Sequence, residues 1–178
     1  MTEPVAALGA SDAGSESIMR TAEGPPLVLV NIEIPRGSFL KRGSNGALDF
    51  LSPLPCPYNY GSVPGWLGLE GDLLDALVLG PRLSRGTQVQ MYAFGAVGLA
   101  DRGLYDDKLI CAPGPPSAAE LARVLAFFRW YGRCKAVLNL VRGQWGPTRC
   151  LGWNTADAAI DRARRLNADD RRRPRIRF

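Results

Sequence analysis

Residues 27–34 carry the strongest structural signal in this chain, Leu27-Val28-Leu29-Val30-Asn31-Ile32-Glu33-Ile34. A run of branched apolar residues closed by a proline, here Pro35, predicts a β-strand. Similar patterns predict further strands over residues 47–51, 73–79, 89–99 and 109–112. Gly43-Ser44-Asn45-Gly46 supplies the positive φ that a hairpin turn needs. Residues 52–66 contain four prolines and are predicted to form a loop.

Two helices are predicted after the strands. The first covers residues 117–131, where Ser117 and Glu120 form a capping box and apolar residues recur at helical spacing. The second begins after Asn154 and runs to about residue 166. Strands first and helices last predict a mainly β fold with α, either a small barrel or a strongly curled sheet with helices packed on one side.

The charge of the chain is unevenly distributed. The 178 residues carry a net charge of +5, but residues 162–178 hold eight arginines and two aspartates, a net +6, which leaves −1 for the rest. Residues 1–26 are rich in small and polar residues and predict a disordered leader. We therefore expect one domain at residues 27–166, followed by a basic disordered tail at 167–178.

Composition excludes several classes of protein. The chain contains no histidine, so acid–base chemistry must use carboxylates, lysines, tyrosines or metal-bound water. The four cysteines form no C-x-x-C pair, which disfavours a zinc site and predicts reduced thiols of a cytoplasmic protein; the spacing gives no argument for a Cys134–Cys150 bridge. No apolar run reaches the roughly 20 residues that span a bilayer, and the N-terminal residues do not resemble a secretory signal.

Six acidic residues fall within two short stretches, Glu70-Gly71-Asp72-Leu73-Leu74-Asp75 and then Asp101 with Asp106-Asp107-Lys108. The intervening sequence is apolar and strand-like, so we expect these carboxylates on loops that a compact sheet brings together. Converging carboxylates repel one another unless a cation lies between them, and Mg²⁺ is the usual solution. Solvated acids on a surface turn are the alternative for the first stretch alone. The second stretch, and Glu33 within an apolar strand, favour a site.

Four segments occur in series along the chain: Ile32-Glu33-Ile34-Pro35-Arg36-Gly37-Ser38 with Lys41, Pro57-Tyr58-Asn59-Tyr60-Gly61, Glu70-Gly71-Asp72-Leu73-Leu74-Asp75, and Asp101 with Asp106-Asp107-Lys108. Together with Phe127-Phe128-Arg129-Trp130-Tyr131 and Gly152-Trp153-Asn154, they resemble the soluble (family I) inorganic pyrophosphatases over about residues 27–166. The segments follow one another in the family's order and at nearly its spacing.

The resemblance implies a five-stranded, OB-like closed β-barrel with flanking C-terminal helices. It also implies Mg²⁺-dependent hydrolysis of inorganic pyrophosphate to two phosphates by a metal-activated water, with several Mg²⁺ ions bound and a homo-oligomeric assembly. Carried over by position, the metal ligands would be Glu70, Asp75, Asp101 and Asp106. Asp72 would be the catalytic base, and Glu33 an acid in the outer shell of the site. Phosphate oxygens would be held by Lys41, Tyr60, Lys108 and Tyr131.

This chain departs from the family pattern at several positions around the site. A carboxylate is replaced by Gly43, a phosphate-binding arginine by Ser52, a tyrosine by Cys56, a lysine by Gly132, and the first aspartate of Asp-Gly-Asp by Glu70. Losing one preorganised electrostatic contact lowers a rate on the order of 10²- to 10³-fold. Arg42, Arg133 and Lys135 lie near the gaps and are candidates to compensate, and residues 134–147 resemble an insertion.

Three functions therefore stay open. The first is a pyrophosphatase with rearranged phosphate contacts. The alternative is a catalytically impaired pyrophosphatase-like protein that binds metal or phosphate compounds in a regulatory or binding role. The third places the arginine-rich tail on nucleic acid through phosphate neutralisation, although a solvated terminus is the commoner explanation. The expected partners are pyrophosphate and further copies of the chain, without membrane or nucleic acid.

Overall fold

A computed structural model of the chain describes residues 17–38, 40–42, 48–51, 55–143 and 145–166. Over these residues the fold is mainly β with two helices, which confirms the predicted class. The strands are β1 (Ile18–Met19), β2 (Leu27–Ile34), β3 (Leu40–Arg42), β4 (Leu48–Leu51), β5 (Asn59–Leu67), β6 (Leu73–Val78), β7 (Gln88–Asp101), β8 (Leu104–Ala112), β9 (Arg149–Asn154) and β10 (Arg164–Arg165). The helices are α1 (Ala118–Val141) and α2 (Ala156–Arg162).

The main sheet runs in the order β1-β2-β5-β6-β8-β7-β9, with β10 paired to β5. Strand β2 pairs with β5 and also, antiparallel, with β7. Strands β6 and β8 are parallel neighbours. That parallel pairing brings the two acidic stretches of the sequence side by side. Strands β3 and β4 form a separate two-stranded sheet, in which Lys41 pairs with Phe50.

Strand β2 has the predicted bounds and builds the first of two cores. Val28, Val30 and Ile32 alternate along it and are fully buried, because successive side chains of a strand point to opposite faces. Buried residues of β6, β7 and β8 complete this core, and α2 covers it with Ala159 and Ile160. Burying side chains of this size contributes roughly 1.5–3 kcal/mol each.

The second core lies between the sheet and α1. Val124 and Phe128 of the helix are buried against Leu77, Val97 and Ile110, in agreement with the predicted apolar face. The predicted capping box is also confirmed: the Ser117 side chain accepts from the Glu120 N–H, and the Glu120 carboxylate accepts from Ser117.

Helix α1 continues ten residues beyond its predicted end at Tyr131. Gly132, the first residue after the predicted helix, is buried within the observed helix where β9 approaches. A Cβ at this position would lie 3.2 Å from the Cys150 backbone nitrogen. Much of the segment that resembles an insertion, residues 134–147, is therefore helix.

Two predictions of loops were wrong. Residues 59–67 form strand β5, including Pro64, which lies where the β5–β6 pairing shifts register. Proline is tolerated at such an irregularity because no ladder hydrogen bond is required of it. Strand β8 begins at Leu104, so Asp106, Asp107 and Lys108 belong to a strand and not to a loop.

The predicted disordered leader extends too far. Ser17 accepts a hydrogen bond from the Leu29 N–H, β1 pairs with β2, and Arg20 contacts Asp161. These contacts order residues 17–20 against the domain. Residues 1–16, the predicted turn at 43–46 and the predicted tail at 167–178 lie outside the described residues. All four cysteines are free thiols. Neither helix of the described ranges combines the length and hydropathy that crossing a bilayer requires.

Candidate active site

A row of polar side chains crosses neighbouring strands of the sheet. Asp75 of β6 lies directly opposite Lys108 of β8, and Ser62 of β5 lies opposite Asp75. Residues that are directly opposite in a ladder share one face of the sheet, and Asp106 shares the face of Lys108 because it is two residues away. The polar row therefore lies on the face that α1 covers farther along.

Three carboxylates converge at this row. One oxygen from each of Glu70, Asp75 and Asp106 lies within 4.8 Å of the others. Asp106 is buried, and Glu70 extends from the turn before β6. The Glu70 Oε2 atom is buried, with no hydrogen-bond partner among the described residues. Clustered carboxylates with an unsatisfied buried oxygen fit a hard divalent cation, which binds oxygen ligands.

Lys108 is the counter-charge inside this group. Its ammonium contacts Asp75 and lies 2.5 Å from Asp106 Oδ1, and its side chain is only 7% exposed. The same nitrogen lies 5.8 Å from the centre of the Tyr60 ring. A buried ammonium between two carboxylates offsets the repulsion that would otherwise separate them.

The electrostatics reflect this crowding. Burial, followed by the Asp106 charge, raises the pKa of Glu70 to about 8. Burial likewise raises the pKa of Asp106, although Lys108 opposes the rise. Burial works to lower the pKa of Lys108, but Asp106 and Asp75 raise it well above its ordinary value. Burial and the Asp75 charge also raise the pKa of Tyr60, so its hydroxyl stays protonated at neutral pH.

Glu33 is joined to the polar row through a serine that sequence reasoning missed. The buried Ser62 hydroxyl donates to Glu33 Oε1 at 2.6 Å. Ser62 lies in the segment that was predicted to be a loop, so no alternation pattern pointed to it. Because Ser62 lies opposite Asp75 in the ladder, its hydrogen bond connects Glu33 to the strand position beside one of the three carboxylates.

Asp101 is not brought into the three-carboxylate group. Its Oδ2 atom lies 2.8 Å from Lys135 Nζ, and its Oδ1 atom accepts from Asn139 Nδ2 at 2.9 Å. Burial acts to raise the pKa of Asp101, but hydrogen bonding and the charge of Lys135 hold it below the ordinary value. Asn139 donates a hydrogen bond to Thr148 beside Asp101, and neither residue was identified from the sequence.

The remaining predicted residues are placed as follows. Asp72 is exposed in the turn between β5 and β6, where its carbonyl accepts from the Gly68 N–H. Tyr131 is partly buried on α1, with its ring stacked against Phe127. Lys41 lies in β3, and its side chain is outside the described part of the structure.

Asp107 belongs to the opposite face of β8 and has a different role from its neighbours. Its carboxylate is held by Arg162 of α2, which donates from two nitrogens at 2.8 and 3.0 Å. The Arg162 guanidinium also lies over the Tyr105 ring at 4.9 Å. This pair connects α2 to the sheet, so only part of the second acidic stretch belongs to the candidate site.

The fold and this cluster define a mainly β protein with a carboxylate–lysine site suited to divalent metal. The model of the inorganic pyrophosphatase family matches residues 30–147, which include the whole carboxylate group. The chain belongs to the inorganic pyrophosphatase family.

Individual relatives agree with this assignment. The inorganic pyrophosphatase of Synechocystis sp. is 29% identical over 154 residues, which cover 75% of this chain and 86% of that protein. The inorganic pyrophosphatase of Gluconobacter oxydans is 38% identical over 97 residues, half of this chain; the match spans only 56% of that protein. The crystal structure of inorganic pyrophosphatase from Thermus thermophilus has a TM-score of 0.66 at 25% identity and covers 85% of this chain and 94% of its own.

Proposed function

We propose that this protein hydrolyses inorganic pyrophosphate to two phosphates in a Mg²⁺-dependent reaction. The observation that carries the proposal is the convergence of Glu70, Asp75 and Asp106 around Lys108, inside the stretch that matches the family model. Phosphoryl transfer depends chiefly on positioning and electrostatic stabilisation. A rigid cluster of charges on adjacent strands is suited to both.

Glu70, Asp75 and Asp106 are the residues proposed to hold the metal, and Mg²⁺ is its proposed identity because the donors are all hard oxygens. A divalent ion held there would supply Lewis-acid charge and lower the pKa of a coordinated water. The resemblance also implies Asp101 as a metal ligand; its pairing with Lys135 is the basis of a different role, which is tested against metal ligation below.

The other site residues are assigned by chemistry and position. Asp72 is exposed in the turn two residues after Glu70 and is proposed to take the proton of the attacking water. Tyr60, kept protonated by burial, donates its hydroxyl hydrogen to a phosphate oxygen. Lys108 balances the carboxylate charges, and Glu33 supports the row through Ser62. Tyr131 and Lys41 are proposed to contact phosphate, as the resemblance implies.

The finer architecture is also proposed. The pairings β2–β5, β5–β6, β6–β8, β8–β7 and β7–β2 return to their starting strand. This cycle supports a closed five-stranded, OB-like barrel at residues 27–166, preceded by the ordered residues 17–26. A homo-oligomer and a cytoplasmic location are proposed from the family resemblance.

A phosphate-release assay tests the proposed reaction. The wild-type protein should release phosphate from pyrophosphate with Mg²⁺ and lose activity with a chelator. Asp72→Asn should lower kcat by on the order of 10²-fold or more, because a positioned base contributes that much. Equal rates for wild type and Asp72→Asn would contradict the proposed base.

Calorimetry with Mg²⁺ tests the proposed metal site separately. Glu70→Gln should weaken Mg²⁺ binding at least tenfold, since it removes a charged ligand. Asp157→Asn, an exposed carboxylate on α2, is the matched control and should bind Mg²⁺ like the wild type. Metal and pyrophosphate binding without any turnover would favour the alternative of a catalytically impaired binding protein.

A further inference from the structure

Two cations share a single carboxylate at the edge of the site. Lys135 Nζ lies 2.8 Å from Asp101 Oδ2, and Arg102 Nε lies 3.8 Å from the same oxygen. The three charges sum to +1. The side chains of Lys135 and Arg102 are 25% and 19% exposed, so both reach solvent in part, although the Arg102 Nε atom itself is buried.

Both carboxylate oxygens of Asp101 have donors. Asn139 donates to its Oδ1 atom at 2.9 Å, and the Thr148 hydroxyl lies 3.5 Å from the same oxygen. Thr148 Oγ1 also accepts from Asn139 and from the Arg102 backbone N–H. Because Asn139 holds one oxygen of Asp101 in place, the other oxygen can fix the position of the Lys135 ammonium.

Lys135 lies close to the proposed catalytic group. It follows Tyr131 by one helical turn, and its Nζ is 6.0 Å from the centre of that ring. Its charge is among those that oppose the burial-driven rise in the pKa of Asp106. Lys108, by contrast, is buried between Asp75 and Asp106, so its charge serves the carboxylates.

Neither of the other compensating cations suggested by the sequence has this placement. Arg133 is exposed and lies about 200° around the helix from Lys135. The side chain of Arg42 is outside the described part of the structure. Gly132 has no side chain to offer. Of the two candidates on α1, Lys135 is therefore the one that faces the site.

We propose that Lys135 binds a phosphate group of the substrate, with Asp101 as the positioning residue that holds its ammonium at the rim of the site. An ammonium has three donors on a rotatable group, so Lys135 can hydrogen-bond a phosphate oxygen while it keeps its contact with Asp101. The multiple negative charge of pyrophosphate needs such cations because the carboxylates beside it repel it.

Because this role deepens the proposed hydrolysis and rests on it, the test combines turnover with binding. Lys135→Gln should raise KM for Mg²⁺-pyrophosphate by roughly 10- to 100-fold, the loss expected for a charge-assisted hydrogen bond. Its half-saturating Mg²⁺ concentration should stay at the wild-type value. Arg129→Gln, an exposed cation on the same helix, is the control and should keep the wild-type KM.

Asp101→Asn separates a positioning role from metal ligation. If Asp101 positions Lys135, the variant should raise KM less than Lys135→Gln does, with an unchanged requirement for Mg²⁺. A rise in half-saturating Mg²⁺ in Asp101→Asn would overturn the positioning role and support metal ligation. Wild-type KM in Lys135→Gln would overturn the phosphate contact.

Calorimetry with imidodiphosphate, a non-hydrolysable analogue, in the presence of Mg²⁺ distinguishes failure of this inference from failure of the proposed reaction. A wild-type protein that binds the analogue but releases no phosphate from pyrophosphate would refute the proposed hydrolysis only. The role of Lys135 would then be tested by the Kd of the analogue. A Kd that is 10- to 100-fold higher in Lys135→Gln supports the phosphate contact, and a Kd equal to that of the wild type overturns it. Absence of wild-type binding would overturn both.

Discussion

The Asn139 side chain donates a hydrogen bond to Asp101 Oδ1 at 2.9 Å, across 38 residues of sequence. Asn139 lies near the C-terminal end of α1 and is 5% exposed. Its amide also reaches Thr148, which in turn accepts from the Arg102 backbone. The second half of α1 is thereby attached to the turn between β7 and β8, at the rim of the site.

Asn139→Ala should destabilise the fold by about 1–3 kcal/mol, because it removes two hydrogen bonds made by a buried amide, to Asp101 and to Thr148. Urea unfolding measures the change. Leu140→Ala, at a neighbouring position that is 60% exposed, is the matched control and should change stability by no more than about 0.5 kcal/mol. Equal stabilities of the two variants would show that the Asn139 contacts do not hold the helix end.

Arg162→Gln should loosen α2 from the sheet. The substitution removes two hydrogen bonds to Asp107, whose side chain is 5% exposed, and leaves that carboxylate without its counter-charge. We expect a loss of about 1–3 kcal/mol in thermal unfolding, since Arg162 itself is partly exposed and screened. Arg85→Gln, at an exposed position, should have the wild-type melting temperature. A lower Mg²⁺ affinity in Arg162→Gln would instead indicate that Asp107 contributes to the metal site.

The metal-free protein should lose stability as the pH rises from about 5 to about 8. Glu70 faces Asp75 of β6 and both Asp106 and Lys108 of β8, and its pKa is raised from 4.5 to about 8, chiefly by burial. In that window the folded state keeps a proton that the unfolded chain has lost, so the free energy of unfolding decreases with pH, by at most about 1.4 kcal/mol per unit for one group.

Urea unfolding in a chelator, at several pH values across this window, measures the slope. Glu70→Gln has no proton to lose at this position and should flatten the dependence. Asp106, whose pKa is also raised, contributes in the same direction and should leave a residual slope. Identical slopes for wild type and Glu70→Gln would disprove the assignment to Glu70.

The cysteines should react at very different rates. Cys134 is exposed on α1, whereas Cys111 is fully buried in the sheet, where burial raises the pKa of its thiol. A disulfide reagent should modify Cys134 rapidly in the native protein and Cys111 only on unfolding, because the thiolate is the reactive form. Cys134→Ser should remove one thiol from those that react in the native protein, where the partly exposed Cys56 and Cys150 also contribute. An unchanged number of rapidly reacting thiols would contradict the exposure of Cys134.

Local signals were sufficient for the parts of the fold that local chemistry determines. The alternating branched residues of β2 and the capping box of α1 each act within a few residues, and both lie where they were predicted. Strand β5 could not be predicted in the same way. Pro64 within it and the three prolines before it resemble a loop, and the segment becomes a strand through pairing with β6 and with β2, which is distant in sequence.

The candidate site was also only partly predictable from the sequence. Charged residues that cluster in sequence, such as Glu70 and Asp75, were identified, and the sheet brings them together with Asp106. Ser62, Asn139 and Thr148 are ordinary polar residues whose significance depends on partners 29 to 47 positions away. The end of α1 was also not predicted, because a glycine, which weakens an isolated helix, is here packed against β9.

Gly132 links the packing of β9 to the distribution of charge on α1. A Cβ at this position would lie 3.2 Å from the Cys150 backbone nitrogen, so β9 or α1 would have to shift by a few tenths of an ångström to admit a side chain. The lysine that the family resemblance leads one to expect here is therefore disfavoured at the present spacing of helix and strand. The close approach of β9 thus comes at the expense of a cation at position 132, and the positive charge beside Asp101 is carried by Lys135, three residues farther along.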